Sequence, residues 1–270
     1  MKTWMKATFT GLAMTCSALT ASQAMAADTS TLEQVLNSGK LRVCFDAGYM
    51  PFEMKSKDGR FIGFDIDIAK HMARSIGVKY EPVNTAWDGI IPALQTNKCD
   101  IIMGGMTITP ERNLKVNFSQ PYIVIGQSII LSNKLKGKVT SYRDLNDPKY
   151  TVASKLGTTG AQATKRYLPK AKLDLFETEV DGAMQVQNGK ADAFIYDFPY
   201  NSIYTAQHKD KVTHISKPFT YEPLGWAVRQ NDPNFLNFLN GYLRQIKGDG
   251  TYDRVYSKWF KSTKWLRNVQ

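Results

Sequence analysis

The chain has 270 residues, a formal net charge of +11 and a hydrophobic content of 43%. This length is enough for one large domain, or for two smaller lobes that each bury a core. Acidic and basic residues are interleaved along the chain and no basic block stands out, so we interpret the charge as a solvated surface. The composition therefore argues against a nucleic-acid-binding protein.

Residues 1–26 have the pattern of a secretory signal peptide. A short basic start with Lys2 and Lys6 precedes a mostly apolar stretch, and "AMA" at 24–26 fits a signal-peptidase site. The apolar stretch is too short and too interrupted to span a membrane. We predict cleavage after Ala26 and export of a soluble protein to the periplasm.

Short apolar strands alternate with helical stretches in the first half of the chain, which indicates α/β units with parallel sheets. Residues 63–77 carry apolar side chains at helical spacing, with acidic residues in the first turn and a glycine stop at Gly77. In chain order we predict a strand at 41–45, a helix at 63–77, a strand at 78–83, a helix at 87–97 and a strand at 99–105.

A comparable pattern begins again after residue 120, which suggests two copies of one architecture. We predict a strand at 150–154, a helix at 159–168, a strand at 173–178, a helix at 181–190 and a strand at 191–197. The end of the chain differs. Two amphipathic helices, one from Phe235 to Ile246 and one from Tyr252 to Phe260, flank a "GDG" break. Their aromatic residues are expected to belong to the core.

Two cysteines, Cys44 and Cys99, lie beyond the predicted leader. An exported protein meets an oxidising environment that permits a disulfide between them. Both, however, fall in predicted neighbouring parallel strands, whose geometry rarely suits a disulfide. We therefore expect two buried free thiols.

Polar residues stand at the carboxyl ends of three predicted strands. Asp46 follows the strand at 41–45, "GMTITPER" follows the strand at 99–105, and Asp197 ends the strand at 191–197. In open parallel sheets these strand ends border a crevice where ligands bind. The sequence thus predicts a ligand site made of these segments.

The segment "GGMTITPER" has the features of a socket for a small anion. Thr109 and Pro110 form a good helix start, whose free amides attract negative charge. Arg112 carries a planar fork that holds a carboxylate with two parallel hydrogen bonds, and Gly104 and Gly105 let a ligand approach the backbone. Alone, the arginine fits a surface salt bridge and the glycines a tight turn, but the combination favours the socket.

Other candidates surround this socket. Asp197 suits an ammonium group, or else caps the helix that follows it. Tyr49 and Trp87 each follow a strand, where aromatic rings either sandwich a ligand side chain or pack at the rim. The stretch "KLGTTGA" at 155–161 repeats the glycine-threonine turn, so its amides are placed to close over the same carboxylate.

These motifs, in this order, resemble those of the periplasmic solute-binding proteins for polar amino acids that serve ABC importers. The similarity covers essentially the whole chain beyond residue 26 and is strongest to glutamine-binding and lysine/arginine/histidine-binding members. It implies an α/β, two-lobed fold in which each lobe is a mainly parallel sheet flanked by helices, with two crossings as a hinge. Lobe 1 would comprise 27–122 plus 226–270, and lobe 2 the inserted 123–225. The motifs are "GYMPFE", "GFDIDIA", "WDGIIPALQTNKCDIIMGGMTITPER", "FSQPY", "LGTTG", "ADAFIYD" and "GDGTYDRVYSKWF".

The resemblance also implies how an amino acid would be held by its α-groups. By motif position, Thr107 and Arg112 would bind the α-carboxylate, with help from the region of Thr159. The α-ammonium would be bound by Asp197 and by the carbonyl of Gly105.

The same resemblance implies which residues meet the ligand side chain. Tyr49 and Trp87 would flank it and Asp46 would face its far end, as acidic residues do in members that select basic or amide side chains. Lys155 matches a lysine of the glutamine-binding members. Basic amino acids and glutamine-like ones both fit this set, so the identity of the ligand stays open.

Two other functional classes compete with amino-acid transport. Exported cyclohexadienyl dehydratases share the fold and the carboxylate socket, but they place a glutamate where this chain has Ala161, which cannot transfer a proton. A sensor module is the third class, although no membrane span follows residue 27. We therefore expect a non-enzymatic monomer without cofactor or metal, whose partners are an L-amino acid and a membrane ABC permease.

Overall fold

The computed structural model describes residue 1 and residues 29–269. The predicted cleavage site after Ala26, with nearly all of the predicted leader, lies outside the described residues. Within the described part of the chain, no helix combines the length and the apolar character that a membrane crossing requires.

Six of the nine α-helices in the described part of the chain begin where a side chain caps the first turn or a proline occupies it. Thr158, for example, accepts a hydrogen bond from the amide of Ala161, and Thr178 caps the next helix in the same way. The α-helices are α1 (Thr31–Ser38), α2 (Phe64–Ser75), α3 (Ile90–Gln95), α4 (Pro110–Asn113), α5 (Thr159–Tyr167), α6 (Glu179–Gln187), α7 (Phe198–Gln207), α8 (Pro233–Gly248) and α9 (Thr251–Phe260).

The strands are short, and seven of the fourteen are mostly buried. They are β1 (Lys40–Phe45), β2 (Met54–Lys55), β3 (Phe61–Ile62), β4 (Lys79–Asn84), β5 (Ile101–Ile102), β6 (Asn117–Phe118), β7 (Ile123–Ile125), β8 (Gln127–Ser132), β9 (Thr151–Lys155), β10 (Lys172–Phe176), β11 (Ala193–Asp197), β12 (Val212–Ile215), β13 (Glu222–Leu224) and β14 (Ala227–Val228).

These strands form two five-stranded sheets, in the orders β4-β1-β5-β14-β6 and β10-β9-β11-β8-β12. In each sheet two pairings are parallel and two are antiparallel. The antiparallel pairings involve β14 and β8, the strands that directly follow a passage between the sheets. The two sheets with their helices confirm the predicted fold class, and the antiparallel strands are a detail that the sequence did not predict.

The chain passes between the sheets twice, and the two passages pair with each other. Strand β7 runs antiparallel to β13, with Ile125 opposite Glu222 and Ile123 opposite Leu224. We call this two-stranded ribbon the hinge ribbon. It agrees with the predicted two crossings, while the lobe boundaries at 122/123 and 225/226 stay a prediction.

The carboxy-terminal helices complete the first lobe. Helix α8 packs on α1, and α9 packs on α2. The ring of Phe64 lies between aromatic residues of α9 and Tyr122, which stacks in turn on Trp226. As predicted, the aromatic residues at the end of the chain contribute to the core.

The prediction of free thiols is wrong, because Cys44 and Cys99 form a disulfide. Strand β5 begins at Ile101 instead of at the predicted residue 99, so Cys99 lies before the strand and outside the parallel ladder. Asp100 fixes this bend, since its carboxylate accepts hydrogen bonds from the backbone and the guanidinium of Arg42 in β1. Free of the ladder, Cys99 approaches Cys44 with a Cα–Cα distance of 5.7 Å.

Candidate functional site

The nine residues predicted to contact the ligand all line one small cavity between the two sheets, whereas Gly104, Thr109 and Pro110 of the predicted anion socket do not. The cavity has a volume of about 10 Å³, close to the space that one water molecule needs. Strand ends and the turns that follow them supply its walls, as expected for an open sheet. The lining residues are Asp46, Tyr49, Glu53, Trp87, Gly105, Thr107, Arg112, Lys155, Thr158, Thr159, Tyr196 and Asp197.

Arg112 is buried in the cavity wall instead of forming a surface salt bridge. Its Nη1 donates to the carbonyl of Thr107 at 2.8 Å and its Nη2 to the carbonyl of Gly157 at 3.3 Å. Burial lowers the pKa of the guanidinium, and the negative charges of Asp197 and Glu222 oppose this. A guanidinium remains charged even so, and this one is held rigidly by carbonyl oxygens of both lobes.

Short polar side chains from the two lobes meet beside Arg112. The hydroxyl groups of Thr107 and Thr159 lie 3.4 Å apart, and Thr159 also accepts a hydrogen bond from the side-chain amide of Gln127. Thr109 caps helix α4 through the amide of Arg112, as predicted, but α4 has only four residues. We therefore assign the anion preference of this corner mainly to Arg112 and the hydroxyl groups.

Asp197 lies close to Thr159, because Nε2 of Gln127 donates to both side chains, and it is nearly fully buried. It occupies the N-cap position before α7, but its side chain makes no capping hydrogen bond. Instead it accepts hydrogen bonds from the hydroxyl of Tyr49, across the lobes, and from Nε2 of Gln127. Burial raises the pKa of Asp197 to about 7, against the effect of these hydrogen bonds and of the nearby Arg112.

Gly105 has the backbone conformation that only glycine adopts easily. Its φ is +61°, and a β-carbon there would lie 2.2 Å from Cε1 of Tyr49. The ring of Tyr49 thus packs directly on the Gly105 backbone, while its hydroxyl reaches Asp197. Gly105 and Tyr49 are brought together at the end of the cavity that holds Asp197.

The other end of the cavity carries a cluster of charges from both lobes. The amine of Lys155 contacts the carboxylates of Asp46 and Glu179, each at 2.7 Å. Burial lowers the pKa of Lys155, but these two carboxylates outweigh it, so the net shift is upward. Lys155 therefore serves as an internal counter-ion and spans the gap between the lobes.

Glu53 adds a further carboxylate to this end, and the sequence analysis did not name it. It is 1% exposed, and neither of its oxygens has a hydrogen-bond partner among the described residues. Burial, together with the charges of Asp65 and Asp46, raises the pKa of Glu53 well above its usual value. The region around Lys155 thus holds three carboxyl groups: those of Asp46 and Glu179 contact its amine, and that of Glu53 does not.

Trp87 forms one side wall of the cavity and also joins the lobes. Its indole nitrogen donates to the carbonyl of Gly157 at 3.1 Å, the same oxygen that Arg112 contacts. The guanidinium of Arg112 and the amine of Lys155 lie over its ring, at 5.4 and 5.9 Å from the centroid. The ring therefore faces positive groups already supplied by the protein.

Other functional candidates escaped the sequence analysis for identifiable reasons. Glu53 is the last residue of the motif "GYMPFE". A charged residue directly after an apolar stretch could have marked it as a candidate. Thr158 and Tyr196 are immediate neighbours of named candidates. Gln127 and Glu179 reach the site only through the pairing of distant strands and helices, which local patterns do not reveal.

The described residues form no group of three or more histidine, cysteine, aspartate or glutamate side chains arranged to hold a metal ion. The chemistry of the site is instead that of paired charges. Arg112 and two threonine hydroxyl groups offer hydrogen-bond donors, Asp197 offers a carboxylate close to Thr159, and the region around Lys155 holds an excess of carboxyl groups. Such an arrangement suits a small zwitterion.

Comparisons with known proteins agree with this geometry. The family model of "Bacterial extracellular solute-binding proteins, family 3" matches residues 41–262. A protein of Neisseria gonorrhoeae named "Probable histidine-binding protein" is 32% identical over 96% of both chains.

Two solved structures are more similar in sequence. A binding component of an ABC transporter from Wolinella succinogenes DSM 1740, complexed with lysine, is 51% identical, with a TM-score of 0.82 over 85% of this chain and 99% of that one. An ancestral amino-acid-binding protein, described as a precursor of cyclohexadienyl dehydratase, is 50% identical, with a TM-score of 0.81 over 86% and 99%. The chain is therefore a member of family 3 of the bacterial extracellular solute-binding proteins.

Proposed function

We propose that this protein captures an L-amino acid with a cationic side chain between its two lobes and delivers it to an ABC importer. The observation that carries the proposal is the excess of carboxyl groups around Lys155. Asp46 and Glu179 both contact its single amine, and Glu53, which lines the same cavity as Asp46, has no hydrogen-bond partner among the described residues. A ligand amine or guanidinium supplies the missing positive charge. The lysine complex of the Wolinella succinogenes relative supports the same ligand class.

The α-groups of the ligand would be recognised at the other end. Arg112, with Thr107 and Thr159, supplies donors for the α-carboxylate, and Asp197 with the carbonyl of Gly105 supplies acceptors for the α-ammonium. Leaving either buried charge unpaired would cost several kcal/mol, so a ligand that lacks one of these groups is strongly disfavoured.

Export and delivery complete the proposal. Cleavage after Ala26 would release a monomer into the periplasm, and lobe 1 (27–122 plus 226–270) and lobe 2 (123–225) would close about the hinge ribbon. An ABC permease in the membrane would then receive the closed form. Membership of an extracellular solute-binding family supports this route.

Dehydratase activity on prephenate is the competing function. Ala161, at the position where we expect the dehydratase glutamate, is a buried methyl group in α5 and offers no proton. Asp197 favours a ligand with an ammonium group, which prephenate lacks. The ancestral relative at 50% identity is itself described as an amino-acid-binding protein. We therefore do not propose dehydratase activity, and the panel below includes prephenate to test for it.

A thermal-shift and calorimetry panel tests the ligand class. The protein is unfolded and refolded to remove carried-over ligand, then mixed with L-lysine, L-arginine, L-histidine, L-glutamine, L-norleucine, D-lysine and prephenate. A ligand at 100 times its dissociation constant adds about 2.7 kcal/mol, or about 5–10 °C for a chain of this size. We expect such shifts from L-lysine or L-arginine, with norleucine and D-lysine at least tenfold weaker.

A Glu53→Gln variant sharpens the panel, because it removes one carboxylate while keeping the size of the side chain. We expect it to bind the cationic ligands at least tenfold more weakly and L-glutamine nearly unchanged. Glu81→Gln serves as the matched control, since Glu81 is exposed and pairs with Lys40 on the surface. Equal losses for charged and neutral ligands would contradict the proposed preference, and a shift from prephenate alone would point to the enzyme.

The raised pKa of Asp197 predicts that binding weakens in acid. A protonated Asp197 cannot pair with an α-ammonium, so below pH 7 the proton must leave before the ligand binds. With a pKa of about 7, the dissociation constant should rise about tenfold for each pH unit below that value, or roughly 100-fold at pH 5.

The stability of the protein without ligand should change in the opposite direction. A carboxyl with a raised folded-state pKa holds its proton more tightly in the folded than in the unfolded chain. Asp197 therefore loses stabilising effect as the pH rises from 3.8 towards about 7. Calorimetric titrations and denaturant unfolding at pH 5, 6, 7 and 8 measure both trends. An affinity that stays constant from pH 5 to 8 would contradict a raised pKa of Asp197 that is coupled to ligand binding.

A further inference from the structure

Asp65 links the candidate binding loop to the hinge through a single carboxylate oxygen. The side chain lies in the first turn of α2 and is completely buried. Its Oδ2 accepts a hydrogen bond from the backbone amide of Gly105 at 3.0 Å and another from the hydroxyl of Tyr122 at 2.8 Å. Its contact with Gly105 thus reaches the cavity wall, and its contact with Tyr122 reaches the hinge ribbon.

Tyr122 is the residue at which the chain leaves the first lobe, immediately before β7. Its amide donates to the carbonyl of Leu224 in β13 at 2.9 Å, so it is bonded to the second passage as well. Its ring stacks on Trp226, which follows β13, with centroids 5.5 Å apart. Tyr122 is therefore an anchor point for both strands of the hinge ribbon.

The binding loop is attached to the second passage by its backbone. The amide of Gly225 donates to the carbonyl of Met106 at 3.0 Å, and the amide of Ile108 donates to the carbonyl of Pro223 at 2.8 Å. Thr107 consequently forms a bridge with Leu224. Residues 106–108 are thus bonded to the second passage, whereas Gly105 is linked to the first passage through Asp65 and Tyr122.

We infer that Asp65 is a positioning residue that fixes the Gly105 peptide relative to the hinge ends, and so sets ligand affinity without touching the ligand. Gly105 has no side chain to fix its own backbone, which adopts a positive φ and packs against the ring of Tyr49. Without the Asp65 acceptor its buried amide loses its partner, and the peptide is expected to rotate. Rotation displaces the carbonyl assigned to the α-ammonium, so the effect on affinity rests on the proposed function.

The acceptor atom, and not the negative charge, carries this role. Oδ1 of Asp65 has no hydrogen-bond partner among the described residues, so both links use Oδ2. An asparagine can place its carbonyl oxygen at Oδ2 and its amide nitrogen at Oδ1, which preserves both hydrogen bonds. Asp65→Asn is therefore a conservative variant that separates geometry from charge.

The test compares Asp65→Ala, Asp65→Asn and Tyr122→Phe with the wild type. Leu239→Ala is the control for lost stability, because Leu239 is buried in α8 and belongs neither to the loop at 105–108 nor to the hinge ribbon. Calorimetry with L-lysine and L-arginine measures affinity. Amide hydrogen exchange of Gly105 by NMR, without ligand, measures the link itself.

We expect Asp65→Ala and Tyr122→Phe to raise the dissociation constant at least tenfold, and Asp65→Asn and Leu239→Ala to stay within threefold of the wild type. Exchange of the Gly105 amide should accelerate at least tenfold in Asp65→Ala and stay near the wild-type rate in Asp65→Asn. Wild-type affinity in Tyr122→Phe, or an Asn variant as weak as the Ala variant, would overturn the inference.

The exchange measurement separates this inference from the proposed function. If no cationic amino acid binds the wild type, but Gly105 loses protection in the Ala variant alone, the link exists and the ligand class is wrong. If lysine binds the wild type and Gly105 is equally protected in all variants, the ligand class stands and the link is refuted.

Discussion

Replacing Arg112 with alanine is expected to raise the dissociation constant for the amino acid ligand by roughly 10²–10³-fold, which corresponds to about 3–4 kcal/mol. The α-carboxylate of the ligand would lose a fixed, buried and bidentate donor. It would still be stripped of water on binding, without the hydrogen bonds that compensate for this loss. The carbonyls of Thr107 and Gly157 would lose their partner at the same time. Calorimetry with the ligand identified by the panel measures the loss.

Arg112→Lys is the informative comparison. Lysine keeps the positive charge but not the planar fork, and it cannot reach both carbonyls and a carboxylate in the same geometry. We expect it to recover only part of the lost affinity. The alanine variant should still fold, because the cap of α4 uses the backbone amide of Arg112 and not its side chain. Binding by the alanine variant within tenfold of the wild type would refute the carboxylate assignment.

Local patterns predicted most of the fold because they report on burial along one element at a time. The helix predicted at 63–77 is observed at Phe64–Ser75, and the strand predicted at 41–45 at Lys40–Phe45. Asp46 follows β1 of one sheet and Asp197 ends β11 of the other, and both line one cavity because the carboxyl ends of these strands face the gap between the sheets. The ligand roles of these residues stay predictions until binding is measured.

The charge balance of the site was not predictable in the same way. Lys155 suggested glutamine from the sequence, but its two ion pairs join it to Asp46 of the first lobe and to Glu179 of α6. Such contacts depend on how the two lobes meet. Glu53 likewise affects the charge balance only because burial removes water from its carboxyl group. A local sequence pattern does not show this burial. The proposed preference for a cation rests on the sum of these contacts.

The disulfide shows how a small shift in one strand changes the chemistry. The sequence predicted that Cys99 begins a strand, and parallel neighbours seldom bridge. The observed strand begins two residues later, at Ile101, because Asp100 accepts hydrogen bonds from the backbone amide and guanidinium of Arg42. A carboxylate that binds the neighbouring strand in this way breaks the ladder, and hydrophobic periodicity does not report it.

Removing the Cys44–Cys99 disulfide, by the double substitution to alanine, is expected to lower the free energy of unfolding by about 2–4 kcal/mol. The bridge closes a loop with a sequence separation of 55 residues, for which the chain-entropy model gives about 4 kcal/mol. Both side chains are completely buried, so lost packing adds to this figure and relaxation of the unfolded chain reduces it. Denaturant unfolding of the oxidised wild type and the double variant measures the difference.

The same substitution should leave ligand affinity within about threefold, which separates the role of the bridge from that of the site. Asp46 and Gly105 follow the two bridged segments. Their positions are also fixed by the pairing of β1 with β5 and by the hydrogen bond that the Gly105 amide donates to Asp65. The wild type reduced in denaturant and refolded with reductant should match the double variant, on which reductant has no effect. A double variant as stable as the oxidised wild type would mean that the disulfide constrains the unfolded chain little. A large loss of affinity with only a modest loss of stability would instead mean that the disulfide helps to shape the binding site.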